Sequence, residues 1–211
     1  MHDLHCSDSK RMKKLPIGIQ TFKNLIQEGY YYVDKTPFIH KLVDQGKYYF
    51  LSRPRRFGKS LFLSTIKSAF QSERELFKGL FLYHNWDWES TAPIVHMSFG
   101  SGVLRSLDDL KTTFEEILDD HSREYGIKFF KKSPKGRFAE LIQSMAELHN
   151  KNTVILIDEY DKPILDNIDQ PEVAIAIREE LKNYYSVIKD ADPYIKFVFI
   201  TGVSKFSKVS L

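Results

Sequence analysis

Lys59 and Ser60 follow Gly58, and Asp158 and Glu159 stand side by side much later in the chain. These residue types are the ones that phosphate chemistry needs. An ammonium group and clustered backbone N–H groups neutralise phosphate oxygens. A hydroxyl and a carboxylate hold a divalent cation through oxygen. A second carboxylate orients or deprotonates an attacking water. Gly58-Lys59-Ser60 is the second half of the phosphate-loop pattern G-x-x-x-x-G-K-[ST], in which the lysine reaches the β- and γ-phosphates and the hydroxyl reaches Mg²⁺. The first glycine of that pattern would stand at position 53, and the chain has Arg53 there. Four apolar residues, Val154 to Ile157, lead directly into Asp158-Glu159. That is the form of a strand that delivers one acid to the metal and the next to the water.

Such residues act together only if the fold places them together. Tyr48 to Ser52 reads as a short aromatic strand, and Leu61, Phe62, Ile66, Ala69 and Phe70 recur at helical spacing after it. The Gly-Lys-Ser run therefore sits between strand and helix, as its chemistry requires. Thr153 to Ile157 is a continuous apolar, β-rich run of the kind buried on both faces of a parallel sheet. Ile94 to Phe99 and Tyr194 to Ile200 read as two more strands, the latter ending in the polar stretch Thr201 to Lys205. In an open α/β sheet the carboxyl ends of parallel strands converge on one crevice. Both motifs then face each other, with Thr201 at the position of a γ-phosphate sensor. Helices are expected over Phe22–Gln27, after Thr36 as N-cap with Pro37 first and Gly46 as the stop, over Leu107–Tyr125, over Phe138–Leu148 and over Gln170–Lys189. Asp34-Lys35 reads as polar loop ahead of a nucleotide contact, and the aromatic stretch Phe77–Trp88 as core packing ahead of base stacking. The strand and helix order is an α/β pattern.

The 211 residues, 42% hydrophobic and 28% charged, suit one domain with a real core. A net charge of +3 permits an anionic ligand without demonstrating nucleic acid. Cys6 is the only cysteine, and the seven histidines lie far apart, which argues against a disulfide framework or a metal cluster. No apolar run approaches membrane-spanning length, no signal peptide is visible, and the cytoplasm is the default location. Residues 1–14 read as a disordered basic tail and 15–211 as the domain.

On YYVDKTPFI (31–39), FLSRPRRFGKSLFLST (50–65), VILIDEYDKPI (154–164) and FVFITGVSKFS (197–207), the chain resembles the AAA-ATPase-like domain of bacterial and archaeal proteins of unknown function. The resemblance spans nearly all of residues 15–211. That family tends to carry R-P-R-R-F-G-K-S in place of the full pattern, which accounts for Arg53. The resemblance implies a P-loop NTPase of the AAA type, a parallel sheet sandwiched by helices, with ATP and Mg²⁺ as cofactors. It assigns phosphate contact to Gly58, Lys59 and Ser60, metal binding to Ser60 and Asp158, and the water role to Glu159. Arg55, Arg56, Phe57, Leu61 and Thr201 complete the nucleotide-binding set, and Lys59 joins Glu159 as a catalytic group. Family members are often longer, with a region resembling PD-(D/E)XK nucleases. The sequence is thus expected to be a truncated version, lacking a last strand and lid helices, with an open sheet edge that invites self-association.

Two functions remain open on these residues. One is ATP binding with Mg-dependent hydrolysis. The other is a non-catalytic scaffold that binds nucleotide, nucleic acid or a protein partner, for which the cluster Arg53, Arg55, Arg56 and Lys59 supplies the charge.

Overall fold

The structure, a computed structural model, describes residues 13–204. The expected basic tail falls outside that range except for Lys13 and Lys14, as does Lys205. In chain order the elements are α1 (Phe22–Gln27), α2 (Thr36–Gln45), β1 (Tyr48–Ser52), α3 (Lys59–Phe70), β2 (Ile94–Ser98), α4 (Leu107–Tyr125), α5 (Pro134–His149), β3 (Thr153–Asp158), α6 (Lys162–Leu165), α7 (Pro171–Asp190) and β4 (Ile195–Gly202). The four strands form one parallel sheet in the order β1-β4-β3-β2.

Alternation along the strands builds two cores. Val154, Leu156, Phe197 and Phe199 pack towards α3, with Ile66, Phe70, Phe77 and Leu82 around them. Ile155, Ile157, Val198 and Ile200 point the other way, against α4, α5 and α7. Burial on both faces explains why β3 and β4 read as unbroken apolar runs. The aromatic stretch near Phe77 does serve as core: Trp86 Nε1 donates to Ala69 O at 3.1 Å and Trp88 Nε1 to Tyr83 O at 3.0 Å.

Three local expectations are revised. Thr36 is the first residue of α2 and not its N-cap. Asp34 takes the capping role instead: its carboxylate accepts from Thr36 N and from Phe81 N, both at 2.8 Å. That frees the Thr36 hydroxyl to accept from Leu82 N at 3.1 Å. Helix α5 begins at Pro134, ahead of Phe138, because the Ser133 hydroxyl accepts from Gly136 N and Pro134 suits the first turn. Strand β4 runs on through Thr201 to Gly202.

The two sheet edges differ. At β2, Nε2 of His121 lies 3.2 Å from His96 N and 3.0 Å from His96 O, so one imidazole covers that strand's outward groups. Among the described residues β1 forms the other edge, with β4 as its strand neighbour.

Candidate functional site

Because all four strands run parallel, their carboxyl ends share one edge. The register pairs Ser52 with Gly202, Leu51 with Thr201, and Ser98 with Asp158. The turn after β1, the Asp158-Glu159 turn and the end of β2 therefore lie side by side.

The turn from Arg53 to Gly58 leaves β1 and enters α3. Gly58 adopts the left-handed conformation (φ 73°) and so does Arg56 (φ 68°). Glycine takes that region freely, and arginine does so at a cost. Lys59 opens the helix and is buried, its ammonium donating to Arg53 O at 2.9 Å and Pro54 O at 3.1 Å. The lysine thus closes the turn on itself. Arg53, Arg55, Arg56 and Phe57 are exposed around it. Phe62 N bonds to Gly58 O at 3.0 Å, so the free amides of the first turn are those of Lys59, Ser60 and Leu61. Leu61 itself packs against the α3-side core, which leaves its backbone, not its side chain, facing the turn.

The acids sit on a stiffer frame. Asp158 is buried and its Oδ1 accepts the Thr201 hydroxyl, while Thr201 Oγ1 accepts from Glu159 N at 3.2 Å. Thr201, fully buried, therefore spends its one proton on Asp158. Asp158 and Glu159 do not diverge through strand alternation, because the strand ends between them. Glu159 turns into the left-handed region (φ 54°), and its Oε2 comes within 3.3 Å of where a Cβ on Gly100 would lie. Its carboxylate thus lies over the end of β2, away from Asp158's hydrogen bond.

Ser60 and Asp158 line the same cleft, of about 490 Å³, together with Ser98. Two hydroxyls and a carboxylate are hard oxygen donors, the set that suits Mg²⁺. His96 lies in the cleft too, its imidazole pushed down to about 4, first by burial and then by the Lys67 charge.

Several residues of this region went unassigned in the sequence. Asp161 is buried, and its Oδ2 accepts from Val203 N at 2.9 Å and Ser204 N at 2.6 Å. It ties the end of β4 to the turn after β3. A Cβ on Gly202 would come within 2.5 Å of the Tyr160 ring, so that close approach requires glycine. The only prior sign of this clamp was a third acid, three residues after Asp158 and next to an aromatic. The stripe Ser60, Ser64 and Lys67 on α3, continued by Gln71 at its C-cap, was more legible, since four-three-four spacing marks one helix face.

A four-stranded parallel sheet flanked by helices, with its polar turns gathered at one edge, is an α/β architecture compatible with an AAA-like fold. The chain belongs to the family described as "Predicted AAA-ATPase", whose model matches residues 16–211. It is similar to a protein of Azotobacter chroococcum mcd 1, "Uncharacterized protein in vnfD 5'region", at 51% identity over 201 residues, covering 94% of this chain and 39% of that protein. The chain therefore spans well under half of that relative's length. No solved structure matches it. No helix among the described residues is long and apolar enough to cross a membrane.

Proposed function

We propose that this chain binds ATP with Mg²⁺ and hydrolyses it at the carboxyl edge of the sheet. The observation that carries the reading is the convergence of Ser60, at the start of α3, with Asp158 in one cleft, with Lys59 beside Ser60 and Glu159 beside Asp158. The free amides of Lys59, Ser60 and Leu61, with the left-handed Gly58 ahead of them, offer donors to the phosphates. Lys59 exchanges the Arg53 and Pro54 carbonyls for the β- and γ-phosphate oxygens. Arg55 and Arg56 stand exposed on the same turn, close enough in sequence to meet the remaining charge, and Phe57 stands between them and Gly58. Ser60 and Asp158 would hold Mg²⁺, which when bound would neutralise phosphate charge. Glu159 takes the proton of the attacking water as its oxygen bonds to the γ-phosphorus and the bond from that phosphorus to the β–γ bridging oxygen breaks, releasing ADP. Thr201 orients both acids, giving its proton to Asp158 and fixing Glu159 through the backbone.

The test is ATP·Mg²⁺ binding by Lys59→Ala. A lost charge-assisted contact is worth about 1.5–3 kcal/mol, so affinity should fall tenfold or more. Wild-type affinity in the variant would remove the phosphate role of the turn. The exposed arginines favour a second reading, a nucleic-acid scaffold. DNA binding that collapses with salt and ignores ATP would select it.

A further inference from the structure

The cleft beside Ser60 extends well past the residues that the nucleotide reading uses. It runs down the outer face of α3, where Ser64 and Lys67 follow Ser60 at successive turns, and its floor is His96 and Ser98 of β2. Thr21, at the start of α1, stands opposite. The strand residues Ile94, His96 and Ser98 share one face, and the apolar cover over that face stops at Ile94. Beyond it the lining is mostly polar: hydroxyls, the His96 imidazole and the Lys67 ammonium, with Asp158 at one end and the Lys23–Glu73 pair at the other.

The charges are unevenly distributed. At the far end Lys23 and Glu73 neutralise each other at 2.9 Å. At the near end the Asp158 carboxylate accepts the Thr201 hydroxyl and keeps its charge. Lys67, between them and only partly exposed, has no carboxylate within ion-pair distance among the described residues. Lys67 and His96 line the same stretch of the cleft. A half-buried ammonium surrounded by serine and threonine hydroxyls is the donor set for a tetrahedral oxyanion. Lys67 is seven residues from Ser60, about 10 Å along the helix. Its anchor thus lies about two turns past the Gly-Lys-Ser turn.

We infer that the Lys67 cleft is a second oxyanion site, which binds the phosphate group of a small molecule with Lys67, Ser64 and Thr21 as donors and His96 as its floor. The site stands on this geometry alone. Its place in a reaction rests on the nucleotide reading: since Ser60 and Asp158 form its near end, the bound group lies just beyond the γ-phosphate. It is then either the phosphate leaving after hydrolysis or the phosphate of a second ligand.

His96 offers a local readout, because an anion bound against its ring moves its resonances. The experiment titrates inorganic phosphate into wild type, Lys59→Ala, Lys67→Gln and Lys67→Arg at pH 7, following the His96 signal assigned with His96→Gln. A saturable shift should appear in wild type and in Lys59→Ala. It should weaken about tenfold or more in Lys67→Gln and largely return in Lys67→Arg. No saturable shift in wild type, an unchanged midpoint in Lys67→Gln, or loss in Lys59→Ala would each overturn the site. Glycerol phosphate titrated in parallel separates the sources: tighter inorganic phosphate marks a leaving group, tighter ester a second ligand. ATP affinity measured on the same samples is independent. If ATP fails to bind while the His96 shift persists, the nucleotide reading falls and the oxyanion site stands.

Discussion

The turns that follow β1 and β3 lie at the same edge of the sheet and are built in opposite ways. The first, Arg53 to Gly58, is exposed and basic; Arg53 N bonds to Gly202 O at 3.2 Å, and past that residue two hydrogen bonds from Lys59 close it. The second, Asp158 to Asp161, is tied at every step: Thr201 holds Asp158 and Glu159, and Asp161 holds Val203 and Ser204. The Tyr160 hydroxyl adds a bond to Ser204 O at 2.9 Å. A turn that must wrap a charged ligand benefits from groups that can leave their present partners. A turn that must aim a carboxylate at one water benefits from having none free to move. The stiff turn is also where backbone strain falls on an acid, since Glu159 is left-handed. Strained residues in an over-determined setting cluster at functional sites.

If the stiff turn aims the water, its largest effect is on chemistry rather than affinity. Glu159→Gln should leave ATP binding nearly intact and slow single-turnover hydrolysis by about 10²–10⁴-fold, the usual worth of general-base help. Asp158→Asn should instead weaken the magnesium-dependent part of binding. Equal loss of binding in both variants would show that the two acids are not divided in this way.

The clamp itself should be worth less, and its loss should appear as stability. Asp161→Ala leaves two backbone amides without a buried, charged acceptor. Hydrogen bonds to charged groups contribute about 1.5–3 kcal/mol each, and water recovers part of that, so a loss on the order of 3 kcal/mol is expected in urea unfolding. A loss below about 1 kcal/mol would mean that the turn is held by packing and not by this carboxylate.

The same contrast explains what the sequence disclosed. The strand-then-helix placement of Lys59 and the apolar approach to Asp158 were legible because each is local: a period, a run and a motif within one segment. The sheet order was beyond local reading, since it depends on which strand β4 inserts beside, yet the parallel pattern already sent both motifs to one edge. Asp161 and Gly202 went unseen because their meaning exists only when β3 and β4 are neighbours. Thr36 misled for a related reason. Its type suits an N-cap, but Asp34 lies two residues earlier, and the remote Leu82 amide claims the threonine hydroxyl. Local chemistry with two candidate acceptors is decided by what packs against it.

The smallest expected effect tests stiffness most directly, because each turn has one non-glycine residue in the left-handed region: Arg56 (φ 68°) and Glu159 (φ 54°). That conformation costs about 1–2 kcal/mol for a residue with a Cβ. Glycine removes the cost but adds about 0.5–1 kcal/mol of unfolded-state entropy. The net gain from substitution is then on the order of 0.5 kcal/mol where the backbone cannot relax. The turn after β3 has no room to relax, so Glu159→Gly should show that gain in full while hydrolysis falls as in Glu159→Gln. The exposed turn after β1 has room to adjust, so Arg56→Gly should gain less and weaken ATP binding instead. Paired denaturation curves of the two variants decide it. A larger gain at Arg56 than at Glu159 would reverse the assignment of which turn is stiff, and with it the physical reason for placing the water-activating acid after β3.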